Sequence, residues 1–413
     1  KTIIEDTSGR EVFSQTAKAE EINSFSVRLK HPYTTLYRII SRLEKNGGIL
    51  SSQFGEFSLS GRKFDTKDLT AVIWLLCPEL HQRVRELGYD MLILWHSHDN
   101  HKRGTFRNLR NLDLAPVIVG SGYELNDMGL NYRHDKVSDP VRKPCYSDGK
   151  RQEAVRDVLR KRAVDDHYNY YNVRHNFLGD ELYLGSTVCY SPDCLKGFRE
   201  SLKKQYENLD ALNKEWNTAF KNWDEVVPCQ LNELKDKNNL SRWLDHKMFM
   251  AGVFAHQYAG KTREYLNEAV PGTRFGLSGT QLPGYSYDWA QLMKHINFIA
   301  YYGGVQAKLV HDFGGADLIS GQWGCGYVDT SVPHDQYQHA SLWRNLFNGA
   351  NLAANYGAGS TINGDMSLNS NIRVYSEVMR EMKRGIAKLV LTSKPAGENV
   401  AVLYSQPSLF AAM

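Results

Sequence analysis

Six cysteines (Cys77, Cys145, Cys189, Cys194, Cys229, Cys325) in 413 residues are too few and too scattered for a disulfide scaffold, so the small stapled folds are excluded. No apolar run reaches the roughly 18 residues of a membrane-crossing helix. The opening Lys1-Thr2-Ile3-Ile4 also lacks the basic-then-apolar pattern of a signal peptide. No membrane partner is expected. A start at Lys instead of Met reads as a processed or trimmed chain, and the compartment stays open. Charge of one sign is also scarce: the net +4 is small and spread along the chain, which argues against a nucleic-acid partner. Neither GxGxxG nor GxxxxGK[ST] follows an apolar run, so no nucleotide cofactor is expected.

What is present is length and rhythm. The chain is long enough for an α/β barrel of about 250 residues and a deep core. After a mixed, polar stretch over residues 1–67, read as a flanking segment of short strands, apolar runs alternate with helical text. The runs are Ala71–Leu76, Asp90–Trp95, Leu114–Val119, Phe177–Glu181, Thr273–Ser278, Phe298–Tyr302, Asp317–Ser320 and Ala350–Asn355. Pro78–Leu87 reads as a helix closed by Gly88, and Arg151–Asp165 as a charged one. Eight strand-helix units predict an α/β fold, a (β/α)8 TIM barrel over 68–396, with a partial N-terminal flanking domain; a doubly wound open sheet is the rival. Asn399–Tyr404 reads as a strand that begins a following domain over 397–413.

In such a barrel the C-terminal ends of the strands share one pocket, and the fourth strand ends in Phe177-Leu178-Gly179-Asp180-Glu181. A Glu there can act as a general acid and protonate a glycosidic oxygen. Asp180 should fall on the opposite face of an ideal strand, held by backbone or Arg partners. Further carboxylates follow the fifth and eighth strands, Asp288 and Asp365. Strand-end polar and aromatic residues that suit sugar hydroxyls and ring faces are Trp95, His96, His98, Asp99, Tyr123, Glu124, Gln281, Trp289, Tyr302, Trp323 and Tyr356.

The stretch Val188–Val226, with Cys189-Tyr190, Cys194, Phe198-Arg199, Tyr206, Leu209, Leu212-Asn213, Trp216, Phe220 and Trp223, resembles the segment after the catalytic acid in glycoside hydrolase family 42, the bacterial β-galactosidases. Leu195, Phe198, Leu202 and Tyr206 also share one helix face, which accounts for part of the pattern by packing alone. Tyr285–Gly303 looks like a further segment of that family. The resemblance implies a retaining hydrolase with Glu181 as acid/base, an oligosaccharide or polysaccharide substrate, and a homo-oligomer, a trimer built partly through domains beyond this chain.

Two departures qualify it. Asp180 stands where the family has an Asn that contacts the sugar 2-hydroxyl. The seventh-strand text Asp317–Tyr327 contains no Glu, and Gln322 lies near the expected nucleophile position. An amide cannot attack an anomeric carbon, so three explanations stay open: an exchanged Glu, another carboxylate such as Asp288 or Asp365, or lost catalysis. A water-using inverting pair would stand about 6.5–9.5 Å apart, against about 5–5.5 Å for a retaining pair. The family's zinc string C-Y-C-x-x-C appears as Cys189-Tyr190-Ser191-Pro192-Asp193-Cys194, leaving two clear ligands with Cys145 as a third candidate; no metal is expected. Rival classes are a non-catalytic carbohydrate-binding barrel and a metal-dependent, amidohydrolase-like barrel using His96 and His98, for which His311 and His334 flank the seventh strand without ending it.

Overall fold

The computed structural model describes residues 1–412 apart from 22–23, 31, 33, 60–63, 75–77, 96–101, 120–144, 165–170, 183–188, 235–237, 281–286, 325–333, 358–360 and 395–400. Two sheets are present. Strands β1 (Thr2–Asp6), β2 (Glu11–Gln15), β3 (Leu36–Lys45) and β4 (Gly48–Ser58) form an antiparallel sheet in the order β2-β1-β3-β4. β3 and β4 are joined through Asn46 and Gly47, with φ of 52° and 82°. That pair suits a two-residue hairpin turn, where both central residues need positive φ. The flanking segment read as short strands also contains two long ones, β3 of 10 residues and β4 of 11.

The second sheet closes on itself. β5 (Thr70–Trp74), β6 (Met91–Trp95), β7 (Ala115–Val119), β8 (His175–Asp180), β9 (Arg274–Thr280), β10 (Phe298–Tyr301), β11 (Ile319–Gly324) and β12 (Leu352–Tyr356) pair in parallel, and β12 returns to β5. Each expected apolar run supplies one strand, so the TIM-barrel expectation holds and the open sheet does not. The helices Pro78–Leu80 with His81–Glu86, ending at Gly88 with φ 94°, and Gly149–Val164 also form where expected.

Alternation along these strands divides the core. Val72, Trp74, Met91, Ile93, Val117, Val119, Phe177, Phe298, Ala300, Ile319, Trp323, Leu352 and Ala354 fill the barrel interior. The intervening residues, among them Ile73, Leu92, Leu178, Ile299 and Tyr301, pack outward against helices. Each fully buried Phe, Ile or Leu contributes roughly 1.5–3 kcal/mol of burial free energy. Phe177 and Phe298 stack at 4.6 Å across the interior. Those two strands lead into Glu181 and Tyr302 of the candidate site.

The Val188–Val226 signature folds as a helical insert. Ser191 caps the helix Pro192–Gln205 by accepting from the Cys194 N–H, and Phe198, Leu202, Leu212, Trp216 and Val226 form its buried cluster with Tyr206, Phe220 and Trp223 around it. Tyr206 and Trp216 both donate to the Asp245 carboxylate, at 2.6 and 2.8 Å. The signature is therefore mostly a packing code. One expectation fails: residues 401–405 carry no strand, because a strand needs an edge to pair with and none of the described strands pairs there. The chain instead forms the helix Gln406–Ala411, whose Phe410 is buried with Cys229, Trp243 and Ala251.

Candidate active site

The site is built where β8, β9 and β10 end. Pairing between β8 and β9 shifts register between Phe177 and Asp180, and Glu181 then adopts φ 51°. A left-handed conformation costs a non-glycine residue on the order of 1–2 kcal/mol, and such strain gathers at working sites. It is held by the Glu181 N–H donating to the Ser278 carbonyl at 2.9 Å. Its effect is to break the strand alternation. Asp180 does not face away from Glu181 as an ideal strand requires, and its carboxylate accepts from the Ser278 hydroxyl at 2.9 Å.

Gly279, with φ 60°, is the pivot of this corner. A methyl group there would stand 2.7 Å from Asp180 Oδ1, 2.9 Å from the Tyr302 hydroxyl and 3.0 Å from Glu181 Cγ. Three polar side chains therefore meet over one glycine. The Tyr302 hydroxyl donates to Glu181 Oε1. Tyr302 is fixed in turn by Gln306, whose buried amide oxygen accepts from the Tyr302 N–H at 3.2 Å and from the Thr280 hydroxyl at 3.1 Å, while its NH2 donates to the Thr280 carbonyl at 3.1 Å. Ser278, Gly279 and Gln306 were not singled out in the sequence. A Ser-Gly pair at a strand end and a Gln in the first turn of the helix Val305–Phe313 were the only signals.

The seventh strand is longer than expected and runs through Gly324. Gln322 pairs in register with Tyr301, whose ring lies in the outer core. Its amide donates to the Tyr302 carbonyl at 3.1 Å and lies against Gly303, which has φ 107°. The interior-facing residue is Trp323, its ring 6.0 Å from Trp74, which meets Tyr356 edge-on at 5.9 Å. At this end of the barrel the wall is aromatic.

Asp288 is buried and caps the helix Trp289–Leu292, accepting from Gln291 N at 3.1 Å and Gln291 Nε2 at 2.9 Å. Trp289 is wholly buried in the outer core. Asp365 lies in an exposed turn, where hydrogen bonds from the Ser367 hydroxyl and N–H hold its carboxyl below the usual range. Trp95 ends β6, while His96, His98, Asp99, Tyr123, Glu124 and Gln281 lie outside the described residues.

Among the described residues, one group of three metal-type donors occurs, and it is made of cysteines, while His96 and His98 of the metal-dependent reading lie outside the described residues. Cys145, Cys189 and Cys194 bring their sulfurs within 4.8 Å of one another, all buried. Where the sequence left two clear zinc ligands, the fold supplies the third. Three soft sulfurs in a closed pocket fit Zn2+, which would serve there to tie Cys145 to the start of the helix Pro192–Gln205. Hydrogen bonds from Cys145, Cys194 and Ser191 hold the Cys189 thiol far below its ordinary value, while Cys145, Cys189 and burial push Cys194 up.

The site thus belongs to a closed eight-stranded (β/α)8 barrel with a tyrosine-held Glu just after its fourth strand. Residues 142–311 match the model of glycoside hydrolase family 42, described as β-galactosidase. The chain is 30% identical over 120 residues to β-galactosidase LacZ of Heyndrickxia coagulans, covering 27% of this chain and 18% of that one. It is 26% identical over 168 residues to β-galactosidase BbgII of Bifidobacterium bifidum, covering 38% and 23%. The matched stretches thus span about a fifth of those relatives. Among solved structures, the cold-adapted β-galactosidase of Rahnella sp. R3 superposes with a TM-score of 0.62 at 14% identity, covering 84% of this chain and 60% of that one. The family-42 β-galactosidase Gan42B gives 0.59 at 15% identity, with 84% and 60% coverage. The chain is a family-42-like (β/α)8 barrel.

Proposed function

We propose that the barrel hydrolyses β-galactosidic or closely related bonds in oligosaccharides or polysaccharide fragments, with Glu181 as the general acid. The observation that carries this reading is the corner at Gly279, where the Tyr302 hydroxyl fixes the Glu181 carboxyl at the end of the fourth strand. In the forward step Glu181 gives its proton to the leaving oxygen while the bond to the anomeric carbon breaks, and a water molecule then adds to that carbon and returns a proton to the Glu181 carboxylate. Tyr302 keeps the acid in one rotamer, which makes the proton's position reproducible. Asp180, held by Ser278, is a second acceptor beside the acid, suited to a sugar hydroxyl. Trp74, Trp323 and Tyr356 offer apolar ring faces to a pyranose.

Tyr302→Phe keeps the ring and removes only the hydroxyl. Its expected result is a fall in kcat of about 10- to 100-fold with KM nearly unchanged, the range of one hydrogen bond to a charged group. A change confined to KM would place Tyr302 in substrate binding instead.

A second reading, a sugar-binding barrel without turnover, is favoured by the aromatic end of β11. Hydrolysis of a panel of aryl glycosides and oligosaccharides, run beside calorimetric binding of the same sugars, separates the two. Turnover supports the enzyme; saturable binding with no released sugar supports the binding barrel. Gln322→Glu is expected to add no turnover, because that side chain registers with outward-facing Tyr301. It replaces a donor to the Tyr302 carbonyl by an acceptor, at a cost of about 1–3 kcal/mol in thermal or urea unfolding. A large gain in hydrolysis would instead show that this position reaches the substrate.

A further inference from the structure

Beside the barrel, at the start of the helix Pro192–Gln205, a hydroxyl sits inside a cluster of three thiols. Cys145 Sγ and Cys194 Sγ are 3.3 Å apart, Ser191 Oγ donates to Cys145 Sγ at 2.9 Å, and Cys189 Sγ donates to Ser191 Oγ at 3.3 Å. Ser147 Oγ meets Cys194 Sγ at 3.2 Å from outside the set. Relative exposure is 8% for Cys145, 0% for Cys189 and Cys194, and 5% for Ser191, so the donors face one another and not solvent. Sulfurs at about 2.3 Å from a tetrahedral zinc are roughly 3.8 Å apart, so the Cys145–Cys194 pair needs to open by only about half an ångström, and all three sulfurs already lie within 4.8 Å of one another. Ser191 Oγ lies within 3.3 Å of two of these sulfurs, which makes it the nearest oxygen for a fourth position.

We infer that this cluster takes one zinc ion on the thiolates of Cys145, Cys189 and Cys194, with the neutral Ser191 hydroxyl oxygen as fourth ligand, in place of the four-sulfur set that the resemblance implies. The chemistry has two consequences. Binding releases the thiol protons, and the loaded site carries one negative charge fewer than a four-thiolate site would. A neutral hydroxyl is also the weaker donor, so this ion is held less tightly and exchanges more readily. Ser191 keeps its capping duty, since the oxygen that accepts from the Cys194 N–H at 3.2 Å has a second lone pair for the metal.

The test is a zinc titration of the metal-stripped chain against a chromophoric chelator, paired with cobalt spectra. One zinc per chain is expected. Ser191→Cys should tighten zinc by at least about 100-fold, and it should raise the sulfur-to-cobalt charge-transfer band by roughly a third, four thiolates against three. Ser191→Thr, which keeps both hydroxyl and cap, should stay within a few-fold of the parent. Ser191→Ala should weaken zinc about tenfold. The melting temperature of each metal-free variant separates a lost ligand from a lost fold, since the cap acts on loaded and empty forms alike. Zinc affinity weaker than about 1 mM in the parent, or equal affinity in Ser191→Ala, overturns the assignment; the latter gives the fourth corner to water.

Discussion

Glu181→Gln is expected to lower kcat/KM for an unactivated β-galactoside by about 10²- to 10⁴-fold, the usual range for removing a general acid. The substitution is close to isosteric. Gln can keep the backbone hydrogen bond to the Ser278 carbonyl, and its side-chain oxygen can still accept from the Tyr302 hydroxyl. Stability should therefore change little. What is removed is the transferable proton, so the loss should scale with how much the leaving group needs it. An aryl glycoside with a very acidic phenol departs with little protonation and should lose far less than an alkyl glycoside or a disaccharide. A loss of equal size across leaving groups would assign Glu181 to binding or to the nucleophile's role. No loss on any of them would remove it from the chemistry.

The eight strands were legible because each is an apolar run of strand length bounded by polar or glycine text, a pattern that survives any error in boundaries. Glu181 was legible for a related reason: in a barrel, the residue at a strand's C-terminal end has its destination set by the fold. The company it keeps was not. The left-handed turn at Glu181 is invisible in the letters Asp-Glu, so alternation sent Asp180 to the wrong side. Gln322 and Trp323 show the same limit from the other direction. Which of two neighbouring residues faces the interior depends on where the strand starts and on its pairing with β10, and β11 runs four residues beyond the stretch that read as strand. A shift of one residue exchanges lumen and outer core. The third thiol shows a third limit, since Cys145 lies 44 residues before Cys189 and only the closed fold brings them together.

Gly276→Ala tests how far the site depends on strand spacing. Gly276 lies in β9, between Phe177 of β8 and Phe298 of β10 in the register of the barrel. A methyl group there would stand 1.6 Å from the Phe298 carbonyl oxygen and 2.7 Å from its carbon. These are backbone atoms in a parallel ladder, so no rotamer change can relieve the overlap. The strands must separate, losing ladder hydrogen bonds and disturbing the Phe177–Phe298 stack beneath the site. The expected cost is about 4 kcal/mol or more, at the diagnostic end of single substitutions. With an unfolding entropy of roughly 2.1 cal/mol/K per residue over 413 residues, that lowers the melting temperature by about 5 °C. Activity should fall further than stability alone accounts for. β8 carries Glu181 and β10 leads into Tyr302, so widening the gap that Gly276 spans pulls apart the acid and the hydroxyl that holds it. A variant that melts within about 1 °C of the parent would mean that these strands are not in contact as described, and with them the corner at Gly279 would lose its support.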